Sequence, residues 1–240
     1  MLFIYYFSIF AANRDEYLNR PTAYASWWHP NVLSGIDKLG LGTWLGINRH
    51  GNFAALTNYL EEYHPPPDLL SRGIPVKSIL ECSELKIPLY NQFEEISNNS
   101  NKYGGFNLIA SDLSLSNPKF YYQNNRRNDG IKELKSAEIY GLSNSVLEDP
   151  WPKVHIGIED MKSILKESTN ESDITPEKLN KETDLWKHSI RIPKYDRGDG
   201  SYATRTSTVI LVDRDNNVLF IEKNFFDENE EIKEKEKGTC

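Results

Sequence analysis

A chain of 240 residues, 38% of them hydrophobic and 12% aromatic, is long and apolar enough to bury its own core, and that length fits one domain better than two. The formal net charge of -7 excludes the basic footprint of a nucleic-acid binder and disfavours anionic membranes, but leaves burial of an apolar or acyl ligand open. Two cysteines, Cys82 in a predicted helix and Cys240 at the last position, argue against a structural disulfide and for a reducing compartment.

Leu2 to Phe10 is apolar but lacks a basic leader and a small-residue cleavage site. It is far shorter than the roughly 20 apolar residues of a membrane helix, so it reads as a buried strand. Three hairpins follow from pairs of β-rich runs joined by turn residues. The first joins Thr43–Asn48 to Phe53–Asn58 through Arg49-His50-Gly51-Asn52. The second joins Phe106–Ser111 to Lys119–Gln123, and the third joins Thr208–Asp213 to Val218–Glu222. Antiparallel pairing is the economical reading, because parallel strands need long crossovers.

Helical periodicity is confined to Ile74–Glu81, Ile87–Ile96 and Val154–Glu167, with a further helix start at Thr175-Pro176-Glu177. The charged tail from Asp227 to Cys240 is expected to be solvated, leaving residues 1–226 as a single domain. Hairpin sheets with clustered helices predict an α+β fold of stacked antiparallel sheets flanked by helices.

Several familiar signals fail. Gly40-Leu41-Gly42 followed by Gly46 has the wrong spacing for a dinucleotide fingerprint and leads into a strand, so close backbone packing is the better reading. His29, His50, His64, His155 and His188 show no metal-ligand spacing, and no metal site is expected. Met1, Met161, Cys82 and the histidines include residue types that ligate haem iron, but nothing in their spacing separates a ligand from a packing residue. There is no Gly-x-Ser-x-Gly elbow and no P-loop.

Four polar runs share an unusual placement, at the end of an apolar segment or beside a predicted strand. They are Asn13-Arg14-Asp15-Glu16, Leu56-Thr57-Asn58-Tyr59, Tyr140-Gly141-Leu142-Ser143-Asn144-Ser145 and Tyr202-Ala203-Thr204-Arg205-Thr206-Ser207. Taken singly, each reads as a strand-terminating turn, with Arg14-Asp15 as a surface ion pair. Taken together, they supply amides and guanidinium groups that could stabilise an oxyanion.

Asn13-Arg14-Asp15-Glu16, with Asn19-Arg20-Pro21 behind it, resembles the signature of the NRDE family, which in eukaryotes is the transport and Golgi organisation protein 2 group. The resemblance continues in order through Gly42–Ile47, Ala54–Tyr59, Gly105–Ala110, Tyr140–Asn144 and Thr204–Leu211, and runs from about Phe10 to Phe226. It implies an N-terminal-nucleophile hydrolase type of fold, a four-layer αββα sandwich of two antiparallel sheets. It further implies that Asn13, Arg14, Asp15, Glu16, Asn58, Asn144 and Arg205 line a pocket. In related cysteine amidases Asp15 would orient the nucleophile's amine and Arg14 would tune its thiol. Asn58 and Asn144 would serve the oxyanion, and Arg205 would complete the charge network.

The family usually begins Met-Cys, whereas this chain carries Leu2, so no catalytic residue is assigned. The resemblance therefore implies a binding factor in haem trafficking, acyl-CoA and lipid homeostasis and Golgi organisation. Haem or acyl-CoA would be its ligand, with no required cofactor, no nucleic-acid partner and no membrane span. Its place would be the cytoplasm, with mitochondrial or Golgi association. The alternative is an N-terminal cysteine hydrolase of acyl amides or thioesters, which would need an upstream Met-Cys start.

Overall fold

The computed structural model describes residues 6–63, 66, 68–82, 87–127, 129–167, 190–227 and 230–231. The expected helix at Thr175-Pro176-Glu177 lies outside the described residues, as do Leu2, Met1, His64, His188 and Cys240 and nearly all of the charged tail. The chain divides into two compact units, one built from Pro21–Ile158 and the other from Met1–Arg20 with Glu159–Cys240.

In the unit Pro21–Ile158 seven strands follow one another across an antiparallel sheet: β2 (Thr22–His29), β3 (Val32–Asp37), β4 (Leu45–Asn48), β5 (Asn52–Asn58), β6 (Phe106–Asp112), β7 (Phe120–Asn124) and β8 (Lys132–Leu134). The β4–β5 and β6–β7 hairpins are those expected from the period-2 runs. Helices α1 (Gly73–Glu81) and α2 (Leu89–Asn98) bring Val76, Ile79, Leu80, Phe93 and Ile96 against Val32, Ala54, Phe106, Leu108 and Ala110 in one buried cluster. Gly46 permits this approach: a Cβ there would stand 2.7 Å from a Leu80 methyl group. Asn48 ties the layers together, its amide donating to the Leu80 carbonyl at 2.7 Å at the end of α1. Its carbonyl oxygen accepts the backbone N–H groups of His50 and Asn52, and so forms the β4–β5 turn, in which Gly51 has φ +92°.

The β2–β3 hairpin was not among those read from the sequence. Its first strand carries adjacent Trp27 and Trp28 without a clean alternation, and its pairing is broken by register shifts. The expected close backbone packing at Gly40-Leu41-Gly42 is present, since a Cβ on Gly42 would lie 2.5 Å from the Gly73 backbone.

In the other unit β1 (Tyr6–Tyr17) pairs with β10 (Ser201–Asp213), which pairs in turn with β11 (Val218–Asn224) and β9 (Tyr195–Asp196), all antiparallel. β12 (Phe226–Asp227) and β13 (Glu230–Glu231) form a small ladder of their own. β10 is buried continuously from Ala203 to Val212. The last turns of α3 (Pro152–Glu167) place Ile164 and Leu165 against Ile9, Val209, Leu211 and Ile221. The α+β class with two main antiparallel sheets is therefore realised. Among the described residues no helix is long and apolar enough to cross a membrane.

Candidate functional site

Asn13-Arg14-Asp15-Glu16 does not follow a strand. It lies within β1, which continues to Tyr17. Of these four polar residues, three face small hydroxyl side chains on β10, Asn13 opposite Ser207, Arg14 opposite Thr206 and Asp15 opposite Thr204, while Glu16 stands opposite Ala203. Alternation sends Asn13 and Asp15 to one face and Arg14 and Glu16 to the other.

On the first face each signature side chain has a hydroxyl partner. Ser207 donates to the Asn13 carbonyl oxygen at 2.6 Å, and Thr204 donates to the Asp15 carboxylate at 2.5 Å. Asn13 and Thr204, the partner of Asp15, also reach the segment Ile190–Ile192. The Asn13 amide donates to the Ile190 carbonyl at 2.8 Å, and the Ile192 N–H donates to the Thr204 hydroxyl oxygen at 2.7 Å. The Tyr202 hydroxyl donates to the Asp15 backbone carbonyl at 3.1 Å. Burial, with Asp15 and Glu16 nearby, pushes the Tyr202 phenol above its ordinary range, so it stays a donor.

On the second face the Arg14 side chain, only 7% exposed, pairs with Glu16 at 3.7 Å, and Glu16 also meets Arg20 at 3.5 Å. Arg14 is thus a buried charge, not the surface partner in an Arg14-Asp15 pair.

Arg205 owes its position to a β-bulge. The register passes from Arg14 opposite Thr206 to Asp15 opposite Thr204, so the β1–β10 register skips Arg205. The extra residue re-aims its guanidinium, which donates to the carbonyls of Arg20 at 2.6 Å and Tyr17 at 3.2 Å. A charged group only 5% exposed requires such partners, and here they are the turn that leaves β1.

Asn58 and Asn144 meet in the unit Pro21–Ile158. The Asn144 amide donates to the Asn58 backbone carbonyl at 2.8 Å, and the Asn144 carbonyl accepts the Leu60 N–H at 2.8 Å. The Asn58 side chain is exposed and has no hydrogen-bond partner among the described residues. Below this pair lies Asn107, fully buried. Its amide donates to the Thr57 hydroxyl oxygen at 3.0 Å and to the Ser145 and Ser143 carbonyls at 2.9 and 3.3 Å. Its carbonyl oxygen accepts Tyr122 and Asn124 at 2.8 and 2.9 Å. Beside it, Glu61 accepts the Gly105 N–H at 2.7 Å and Arg126 Nε at 2.6 Å.

The structure therefore joins Asn13, Arg14, Asp15, Glu16 and Arg205 in one cluster and Asn58 with Asn144 in a second. Sequence reasoning did not single out Thr204, Ser207 and Asn107 as organising residues. A signal was present in their strand context, since hydroxyl and amide side chains recurring inside buried strands must find polar partners. Among the described residues no group of three or more His, Cys, Asp and Glu side chains is arranged to hold a metal ion.

The chain matches the family described as Transport and Golgi organisation 2 over residues 5–227. It is 35% identical over 256 residues to the mouse Transport and Golgi organization 2 homolog, covering 92% of this chain and 87% of that protein. It is 35% identical over 253 residues to the human Transport and Golgi organization protein 2 homolog, with the same coverage of 92% and 87%. Among solved structures it is similar to penicillin V acylase from Agrobacterium tumefaciens at a TM-score of 0.45 and 13% identity, covering 89% of this chain and 81% of that one.

Proposed function

The chain belongs to the Transport and Golgi organisation 2 family, and from that premise we propose that it is a binding factor for haem or acyl-CoA that performs no hydrolysis. Its role is in haem trafficking, acyl-CoA and lipid homeostasis and Golgi organisation, exercised from the cytoplasm with mitochondrial or Golgi association.

One observation carries the non-catalytic part of the reading. The hydroxyls beside the signature are buried and already committed, Thr204 being 1% exposed and Ser207 2% exposed. Thr204 and Asp15 have the composition of a nucleophile and its base, but an attacking oxygen must reach solvent or substrate. The Thr204 oxygen instead accepts the Ile192 N–H. Two hydroxyls already committed to Asp15, Asn13 and the Ile192 N–H support holding a shape over activating a bond.

Calorimetric titration of the purified chain with haemin and with palmitoyl-CoA tests the reading, alongside an assay for free CoA. Saturable binding of one of them without thiol release is the expected result. Binding of neither removes the carrier reading, and time-dependent release of free CoA replaces it with hydrolysis.

A further inference from the structure

In the unit Pro21–Ile158 a half-open cleft of about 180 Å³ is lined by Trp28, Ile36, Leu41, Gly42 and Lys77. None of these residues belongs to the two polar clusters described above, although Trp28 also packs against the buried core of this unit. We infer that this cleft is a binding site for a small monocarboxylate with an apolar body of roughly six carbons, its carboxylate held by Lys77 and its chain held by Trp28, Ile36 and Leu41.

Three observations support the site. The first is size and chemistry: a dry cavity near 150 Å³ is known to accept a benzene-sized apolar body, so about 180 Å³ suits a ring or a chain of roughly six carbons. Lys77 is the only charged residue among the five that line it.

The second is Leu41. It stands at φ +53°, in the left-handed region that glycine or asparagine enters more readily, and it is 68% exposed. The backbone around it is held firmly, with Leu41 N–H donating to the Asp37 carbonyl at 2.8 Å and Asp37 N–H donating to the Gly42 carbonyl at 2.9 Å. Gly40 could not carry a side chain without meeting Ser71 and Asp37. This turn fixes an apolar side chain over the cleft in a conformation that disfavours it, and the exposed surface of Leu41 is what an occupant would cover.

The third is the setting of Lys77. The Trp28 ring is oriented by its own N–H, which donates to Ser34 at 2.6 Å, and it lies 5.5 Å below the ammonium of Lys77. Among the described residues the charge paired with Lys77 is Glu81, one helical turn on, at 3.9 Å. A long, half-exposed i,i+4 pair of this kind is weak, so a carboxylate seated in the cleft competes with it on favourable terms.

Hexanoate titrated into the intact 240-residue chain, followed by the methyl resonances of isoleucine and leucine, tests the site. The expected result is a saturable shift of the Ile36 and Leu41 methyl groups, with a dissociation constant on the order of millimolar for so small a ligand. Lys77→Gln should weaken hexanoate about tenfold while leaving hexan-1-ol unchanged, because only the carboxylate needs the ammonium. Leu41→Gly, compatible with the backbone, should weaken both. Absence of a hexanoate shift, unchanged hexanoate affinity in Lys77→Gln, or equally tight binding of hexylamine overturns the assignment. None of these outcomes bears on haemin or palmitoyl-CoA binding, which is read separately.

Discussion

The Thr204 hydroxyl lies 2.5 Å from the Asp15 carboxylate across the β1–β10 pair, although the two residues are 189 apart in the chain. The same oxygen receives the Ile192 N–H, so one side chain satisfies a carboxylate and a backbone donor together.

Thr204→Val, which keeps the shape and removes the hydroxyl, should destabilise the protein by about 2–3 kcal/mol, because a hydrogen bond to a charged group is lost and a backbone N–H is stranded. Thr204→Ser should recover most of this. Urea unfolding followed by circular dichroism measures the difference, and a cost below about 0.5 kcal/mol for the valine variant would contradict the arrangement.

Arg205→Lys keeps the charge but not the planar fork that reaches two carbonyls. The loss should be about 1–2 kcal/mol. Its local mark should be faster amide exchange at Arg20, whose N–H closes the turn onto Tyr17. Unchanged exchange there would mean that the guanidinium does not hold the turn.

Asn107→Ala should cost about 3 kcal/mol, since it strands buried groups on Thr57, Tyr122 and Asn124 together. It should also release the Ser143–Ser145 loop, which native-state proteolysis would detect as new cleavage there. If the loop stays protected, Asn107 is not its anchor.

Two groups give stability a pH signature at opposite ends. Burial pushes the Tyr122 hydroxyl up to about 12 from its ordinary value of 10.0. A folded value above the unfolded one means the contribution is whole below pH 10 and is lost as pH climbs towards 12, by at most about 1.4 kcal/mol per pH unit. Tyr122→Phe should flatten that limb. Burial raises Glu61, but the Gly105 N–H, then Arg126 and Arg72, outweigh it and hold the carboxyl below its ordinary 4.5. A depressed value means stability present above 4.5 and lost as pH falls below it, so Glu61→Gln should flatten the acid limb. Denaturation midpoints across the two ranges check both variants, and slopes identical to the parent chain would refute the assignments.

The hairpins at β4–β5, β6–β7 and β10–β11 and the three helices were legible in the sequence because their signals are local. A period of two or of 3.6 residues is complete within one segment, and turn residues mark where it stops. The family was legible for a related reason, since its polar runs keep their order along the chain. The β2–β3 hairpin was not legible, because register shifts and the adjacent tryptophans break the alternation that would have announced it.

The meaning of Asn13-Arg14-Asp15-Glu16 was decided by tertiary structure alone. As a string it reads equally well as a turn or as a surface pair. It becomes the middle of a strand only when β10 arrives opposite it, with Thr204 and Ser207 bonding the Asp15 and Asn13 side chains. The bulge that re-aims Arg205 depends likewise on how β1 and β10 meet, and the role of Asn107 depends on a loop that returns to it 36–38 residues later. Local pattern determines which segments become strands and helices. The satisfaction of buried polar groups depends on which distant segments meet, and no local period records that.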